Sequence, residues 1–518
     1  PGFRDLSNHA GFSDTLFLVG NLVRTFKSLT LVLLLLLFTL CEGDVTIYAG
    51  ENVAQAVVRI TSYRQSPDWA NPWRMKPTEA GHGSGFLIGN GWILTNAHVV
   101  SDSKLLLINK LSSPEPYIAE VEAIAHDSDL ALLRVKDPEF YSDMIALEFG
   151  GIPKLRSPVQ AYGYPLGGQD LSRTEGVVSR IEFGTYVHPG IDSHLLIQTD
   201  SAINPGNSGG PVIQEGLAIG VAFQSNLRLN DIGYFIPTPL IQRFLQDQLD
   251  GHYDGVPEIG IQTSSLLNQY QRQSLGLPEG AGGVLVERII PRSSADGLLE
   301  VGDVLLEIEG KTIDRAGMVH YGEHRVDFFI EAEHLQVGDT VEFKVWRRKK
   351  LENLQITLKA PPFSDELRNT YDVLPEYLIV GGLVLIALNR DYLHSEGKQT
   401  PELAYEHWYR EIEEPHTRRD QVVVVSRVLP ALVNSGYSGL RHFVVHSLNG
   451  QAIMSLRHLM QMMEQLPTDT EFLVFESDWE PLPLVLDYHQ SLETHQEVLN
   501  IYGISKDRRF HEPGGSEG

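Results

Sequence analysis

Residues Gly206-Asn207-Ser208-Gly209-Gly210-Pro211 set one serine between glycines on both sides, directly ahead of a proline. Glycine removes side chains that would obstruct a substrate carbonyl and admits positive-φ backbone, so successive N–H groups can turn to one side of the loop. Donors so placed can face the oxyanion that forms when Ser208 Oγ attacks an acyl carbon. Phosphate-binding loops and plain turns share this composition, so the loop alone leaves its chemistry open. Pro205 stiffens the approach to it and has no N–H of its own.

Two upstream segments narrow the choice. Gly91-Trp92-Ile93-Leu94-Thr95-Asn96-Ala97-His98-Val99-Val100 reads as a buried strand that delivers a histidine at its end. His126-Asp127-Ser128-Asp129-Leu130-Ala131-Leu132-Leu133-Arg134-Val135 places acidic residues just before a second apolar strand. The order is therefore His98, Asp129, Ser208, with separations of 31 and 79 residues. That is the chain order of a chymotrypsin-type triad, not of subtilisin or the α/β-hydrolases. Alone, such a histidine is a core residue and such an aspartate a turn residue; the three segments in this order are harder to obtain by chance. Asp127 and Asp200 are competing carboxylates.

Thr95-Asn96-Ala97-His98-Val99-Val100, Asp129-Leu130-Ala131-Leu132-Leu133 and the Ser208 loop resemble the signature blocks of the HtrA/DegP serine proteases. Gly83-Ser84-Gly85-Phe86 and Gln198-Thr199-Asp200 also fit, and the similarity covers roughly residues 45 to 510. The resemblance implies a mainly β chain: a chymotrypsin-like double β-barrel protease domain, then two α+β PDZ-type domains. It favours Asp129 over its competitors, because Asp129 directly precedes the Leu-Ala-Leu run. His98 would take the Ser208 proton and return it to the leaving amine, while Asp129 fixes the imidazole tautomer. Backbone N–H groups of Gly206 and Ser208, with Asn207 as a further donor, would form the oxyanion hole. Ile203 and Val221-Ala222-Phe223 would wall the substrate pocket. Loops around 166–173, 183–194 and 224–232 would correspond to an activation region that orders when the enzyme is switched on.

Bulk properties bound the function classes. With 518 residues, 42% hydrophobic and 21% charged, the chain has the composition of a globular protein of about three domains. A net charge of −26 disfavours nucleic acid as the main partner. No metal-binding cluster and no GxxxxGK[ST] phosphate loop is present, so no cofactor and no ATP requirement are expected. Cys41 closes an apolar run from Ser28 to Leu40, preceded by Arg24 and Lys27, which has the length of a secretory signal rather than a membrane span. Residues 1–43 are therefore expected to be a signal cleaved near Gly43, with an uncleaved membrane anchor as the alternative and a bacterial periplasm as the destination. Pro1 stands where a methionine is usual, and Val23 is expected to be an alternative start.

Residues 44–250 read as short strands between Gly, Pro, Asn and Asp turns, the pattern of an all-β protease domain. Residues 64–81, with Trp69 and Trp73, lack periodicity and lie where HtrA-like proteases carry a regulatory or oligomer-contacting loop; a disordered surface insertion is the alternative. Residues 256–360 resemble a PDZ domain, with Glu258-Ile259-Gly260-Ile261 as the loop that receives a peptide and an adjacent strand open to β-augmentation. Core packing is the competing explanation for Ile259 and Ile261. A weaker repeat spans 373–490: Val284-Leu285-Val286-Glu287-Arg288 aligns with Val423-Val424-Val425-Ser426-Arg427, and Glu309-Gly310-Lys311-Thr312-Ile313 with Asn449-Gly450-Gln451-Ala452-Ile453. Gly302-Asp303 is replaced by His442-Phe443, and this degenerate unit is expected to serve assembly. Residues 491–518 are expected to be a tail. The family implies unfolded polypeptide substrates and a homo-oligomer built from trimers. A non-catalytic PDZ scaffold or chaperone and a small-molecule esterase are the competing function classes; the intact His98, Asp129 and Ser208 weigh against the first, the peptide-binding modules against the second.

Overall fold

The computed structural model describes residues 53–165, 170–225, 233–362, 367–395, 400–409 and 419–511. The expected signal segment and Cys41 lie outside them, as do 166–169 and 226–232 of the expected activation loops. No helix among the described residues is long and apolar enough to cross a membrane.

Strands β1 (Val57–Arg64), β2 (Glu79–Leu87), β3 (Ile93–Thr95), β4 (Ser103–Lys110), β5 (Tyr117–Ala125) and β6 (Leu130–Val135) close a barrel in the order β1-β2-β3-β6-β5-β4. A second barrel follows: β7 (Pro158–Gly163), β8 (Ser172–Thr185), β9 (Ser193–Thr199), β10 (Pro211–Gln214), β11 (Leu217–Ser225) and β12 (Gly233–Pro237), ordered β10-β11-β12-β9-β8-β7. Side chains alternate along a strand, so a strand buried on both faces must be apolar throughout. In β6, Ala131, Leu133 and Val135 fill the first barrel while Leu130 and Leu132 join a cluster shared by both barrels. β11 behaves alike: Ile219 and Ala222 enter the second barrel, whereas Val221 and Phe223 pack in the shared cluster. The cleft between barrels thus rests on one continuous apolar layer. Helix Thr238–Asp247 closes the domain by burying Leu240, Ile241 and Phe244 in that layer.

The second unit has a sheet ordered β13-β14-β15-β19-β20, from β13 (Ile261–Ser265), β14 (Val284–Ile289), β15 (Val304–Ile308), β19 (Thr340–Arg347) and β20 (Lys350–Thr357); β16 (Lys311–Thr312) pairs with β15, and β17 (Met318–Tyr321) with β18 (His324–Asp327). A bridge between Glu258 and Lys359 draws its two ends together. The outer edge of β13 carries no partner strand among the described residues.

The third unit repeats this plan and departs from it at that edge. β22 (Leu383–Ala387), β23 (Val423–Val428) and β24 (Phe443–Val445) correspond to β13, β14 and β15, but β21 (Tyr377–Val380) pairs along the outer side of β22. The chain thereby fills an edge that the second unit leaves open. The aligned turns keep their geometry despite their sequences. Glu309-Gly310 and Asn449-Gly450 have φ of 47°, 72°, 51° and 78°, and His442 takes a positive φ of 62° where Gly302 has 97°. Residues 491–511 do not form a free tail. After a small sheet of β25 (Ser447–Leu448), β26 (Gln451–Ala452), β27 (Phe472–Glu476) and β28 (Leu484–Asp487), strand β29 (Arg508–Arg509) pairs with β21, and Val498, Leu499 and Ile504 are buried, so the third unit runs to about residue 509. Local polarity hides this, because a two-residue strand against an edge has no hydrophobic period to reveal it.

The long loop between β1 and β2 is folded, not loose. Asp68 accepts from the N–H groups of Ala70 and Asn71 at 3.0 and 3.2 Å. The loop docks on the third unit: Trp73 meets Tyr377 edge-on at 6.2 Å, Arg509 donates to Pro72 O at 2.9 Å, and Arg427 bonds Asn71.

Candidate active site

His98 sits in the short helix Ala97–Val100 that follows β3, and Asp129 in the tight turn entering β6. The pairing of β3 with β6, Thr95 opposite Ala131, brings the two turns side by side. Asp129 adopts φ +54°, a left-handed conformation that aspartate tolerates better than most residues. Its carboxylate grips His98 twice: Oδ2 lies 2.7 Å from ring Nδ1, and Oδ1 accepts the His98 backbone N–H at 2.8 Å. Asp129 is buried, whereas a third of the His98 side chain is exposed. Burial pushes the Asp129 carboxyl up, but the His98 and His188 rings and the bonds from His98 outweigh it and hold the group below its ordinary range. A charged carboxylate on Nδ1 fixes that nitrogen as the donor, which leaves Nε2 as the basic one.

The Ser208 loop comes from the second barrel, ahead of β10. It is bound to the first barrel chiefly through Ser84 in β2, a residue the sequence reading quoted within a motif but gave no role. The Ser84 N–H donates to Ser208 O at 2.8 Å, its hydroxyl donates to Gly206 O at 2.7 Å and accepts from Tyr164 N–H at 2.8 Å. Thr95 Oγ1 in turn donates to Ser84 O at 2.7 Å. Gly209 has φ +85°, and a Cβ there would lie 2.0 Å from Ser84 O and 2.3 Å from Thr95 Oγ1. Its glycine is therefore required by space as well as by backbone conformation. The signal in the sequence was Gly83-Ser84-Gly85: a Cβ on Gly83 or Gly85 would meet Val99 or Ile93 within 3 Å.

Donors around Ser208 sort into committed and uncommitted. Asn207 N–H is bonded to Asn204 O at 2.9 Å, Gly209 N–H to Ala222 O at 2.8 Å and Gly210 N–H to Asn207 O at 2.9 Å. Among the described residues no backbone carbonyl takes the N–H of Gly206 or Ser208. Asn207, expected as a third oxyanion donor, is thus occupied within its own turn. The Ser208 hydroxyl donates to Phe223 O at 3.2 Å. Its expected link to His98 is not made in this arrangement.

The other candidates fall elsewhere. Asp127 is buried and accepts from Tyr253 OH at 2.6 Å and Val256 N–H at 2.8 Å, tying the protease domain to the start of the second unit. Asp200 accepts the Val177 N–H at 2.6 Å on the second barrel. Ile203, Val221, Ala222 and Phe223 are all buried in core clusters. Phe223 still acts at the site, through its carbonyl. In the second unit Ile259 and Ile261 are core residues, while Gly260, at φ +76°, presses against Ser293 where a Cβ would come within 2.1 Å. Glu258 O accepts from Ser294 Oγ, and Ile259 O from Ala295 N–H at 3.0 Å.

Comparison with known proteins agrees with this architecture. Residues 83–221 match the trypsin-like peptidase domain family and residues 367–509 the PDZ domain family. Protease Do-like 4, mitochondrial, of Arabidopsis thaliana is 34% identical over 470 residues, covering 90% of this chain and 87% of the relative. Protease Do-like 2, chloroplastic, of the same plant is 34% identical over 458 residues, covering 88% and 74%. A solved structure of the HtrA-type protease AlgW with a tripeptide is 24% identical, covers 61% of this chain and 97% of that one, and has a TM-score of 0.48. With a trypsin-like double barrel, PDZ units behind it and relatives matched over nearly its whole length, the chain belongs to the Do-like (HtrA/Deg) family of serine endopeptidases.

Proposed function

We propose that this chain is an ATP-independent endopeptidase that cleaves unfolded or misfolded polypeptides through His98, Asp129 and Ser208. The observation that carries the proposal is the two-point grip of Asp129 on His98, beside a serine loop with two uncommitted N–H groups. With Nδ1 tied to Asp129, Nε2 takes the Ser208 proton once the hydroxyl turns from Phe223 O toward it. Oγ then bonds the scissile carbonyl carbon, and the oxygen gains charge toward the N–H groups of Gly206 and Ser208. Each such donor is worth on the order of 2.7–4 kcal/mol in the barrier. The imidazolium passes its proton to the departing amine, and water repeats the cycle on the acyl-enzyme. The Ser208–Phe223 bond makes this a resting arrangement, in keeping with an activation region that orders around substrate.

Substrate capture is assigned to the second unit, whose β13 edge is open to an added strand. The third unit, with that edge filled by β21, serves assembly. Homo-oligomers built from trimers and residence in an organelle or an exported compartment belong to the same proposal. Casein digestion tests it: the wild-type chain degrades casein without ATP and Ser208→Ala does not. A Ser208→Ala protein that degrades casein at the wild-type rate removes the triad assignment.

A further inference from the structure

Between the second and third units the chain returns to the protease domain and lies beside the catalytic histidine. Arg368 forms a bidentate pair with Asp192 at 2.7 and 2.5 Å. Asn369 donates its side-chain amide to His188 O at 2.9 Å and its N–H to Pro189 O at 3.2 Å. The Tyr371 ring stacks on His188 with centroids 4.0 Å apart and planes 16° apart, while its hydroxyl donates to His188 O at 3.0 Å. Asp372 closes the segment by a reciprocal exchange: its N–H donates to Asp102 Oδ1 at 2.9 Å and its Oδ1 accepts the Asp102 N–H at 2.6 Å. Asp102 lies two residues beyond the end of the helix that carries His98. From the third unit, Arg390 donates to Asn369 Oδ1 at 3.0 Å and to Gly190 O at 3.3 Å, and Asp391 accepts the Thr370 N–H at 2.7 Å.

The contacts converge on one buried ring. His188 lies 6.2 Å from His98, centroid to centroid, and its Nε2 is 3.0 Å from His126 Nδ1. His126 Nε2 pairs with Asp372 Oδ2 at 3.1 Å. The carboxylate accepts a hydrogen bond from His126 Nε2–H, so His126 Nδ1 accepts from His188 Nε2–H, giving a chain Asp372–His126–His188 beside the Asp129–His98 pair.

We propose that Tyr371 is a positioning residue of the protease site, clamping His188 against His98 so that the site is complete only when the segment between the second and third units is docked. The wall it supports keeps water and charge away from the base. The groups facing His188 are His98 and Asp129 from the first barrel, His126 beside them, and Tyr371 and Asp372 from the docked segment. Burial, with the neighbouring histidines adding to it, lowers the His188 pKa to about 3 against the pull of Asp129 and Asp372, so the ring is neutral at working pH. Removing Tyr371 admits water and returns His188 toward its ordinary value of about 6.5. Below that pH a second positive ring then opposes the imidazolium that His98 becomes in the transition state.

This proposal rests on the triad assignment, and its test separates the two. In the full chain, Tyr371→Ala and Tyr371→Leu are assayed on a fluorogenic peptide for kcat, KM and the pH profile of kcat/KM, with Tyr371→Phe as control. Both truncations are expected to lower kcat by about ten-fold or more with little change in KM, a loss of the size that small misplacements of a base produce. Their acid limb should steepen from one proton to two, and His188→Gln added to Tyr371→Ala should restore the single-proton limb. Tyr371→Phe should stay within a few-fold of wild type. Wild-type kcat with a one-proton limb in both truncations, or a loss confined to KM, overturns the proposal; a wild-type chain that cleaves nothing overturns the triad assignment instead.

Discussion

His194 and Glu333 join the second barrel to the second unit: ring Nδ1 lies 2.9 Å from Glu333 Oε1, both groups are more than nine-tenths buried, and the same carboxylate accepts the Leu195 N–H at 3.0 Å. His194 Nε2 meets Asp127 O at 3.0 Å, so both ring nitrogens have acceptors, as a protonated imidazole requires. Leu195 adds an apolar anchor by entering the core cluster of the second unit.

That pair makes the docking of the second unit pH-dependent. Burial lowers the His194 pKa, but the bond to and charge of Glu333 outweigh it and raise it above the ordinary value. A raised histidine pKa contributes stability that is complete below about pH 6.5 and lost as pH climbs through the raised value. Hydrogen exchange at Leu195 and in β9 should therefore accelerate as pH rises above about 6.5 in wild type, beyond the intrinsic base-catalysed rise. His194→Gln should flatten this excess; an unchanged excess would remove the ion pair as its source.

Asp129→Asn isolates the carboxylate from the fold. Asparagine also tolerates a positive φ and can still accept the His98 N–H, so the turn should survive. Its amide facing Nδ1 would favour the tautomer with the proton on Nε2, which cannot accept from Ser208. On the Ser-His-Asp template kcat should fall by roughly 10⁴-fold with little change in melting temperature. A variant within ten-fold of wild type would mean that Asp129 does not set the tautomer.

Glycines at equal φ should differ by their surroundings. Gly209 and Gly216 have φ of +85° and +83°, but a Cβ at Gly216 meets nothing within 4 Å. Gly216→Ala should cost about 1–2 kcal/mol from backbone conformation alone. Gly209→Ala must also displace Ser84 O, and should cost clearly more in urea unfolding while abolishing labelling of Ser208. Equal costs would refute the close packing of the serine loop on β2.

Docking of the long loop on the third unit predicts a shared fate for the two. Trp73→Ala removes the edge-on pair with Tyr377, worth about 0.5–1.5 kcal/mol beyond its buried area. Faster hydrogen exchange is expected in β21 as well as in residues 64–76. Acceleration restricted to the loop would show that the contact does not hold the third unit.

What the sequence disclosed follows the range of the interactions involved. His98 and Asp129 were legible because each stands at the end of an apolar strand, and Ser208 because its glycines answer to local backbone needs. The repeat of the second unit in the third was legible for the same reason, since Glu309-Gly310 and Asn449-Gly450 make the same turn. The roles of Ser84 and of Arg368 to Asp372 depend on partners far along the chain, such as Asp192 paired with Arg368 across 176 positions. No local pattern carries that information.

Mass spectrometry after reaction with a fluorophosphonate probe tests the proposed triad most directly. The expected result is a single adduct on Ser208 in the wild-type chain, absent from Ser208→Ala and slowed by orders of magnitude in His98→Ala. Labelling of Ser208 at the wild-type rate in His98→Ala, or casein cleavage by a chain whose Ser208 takes no label, would contradict it.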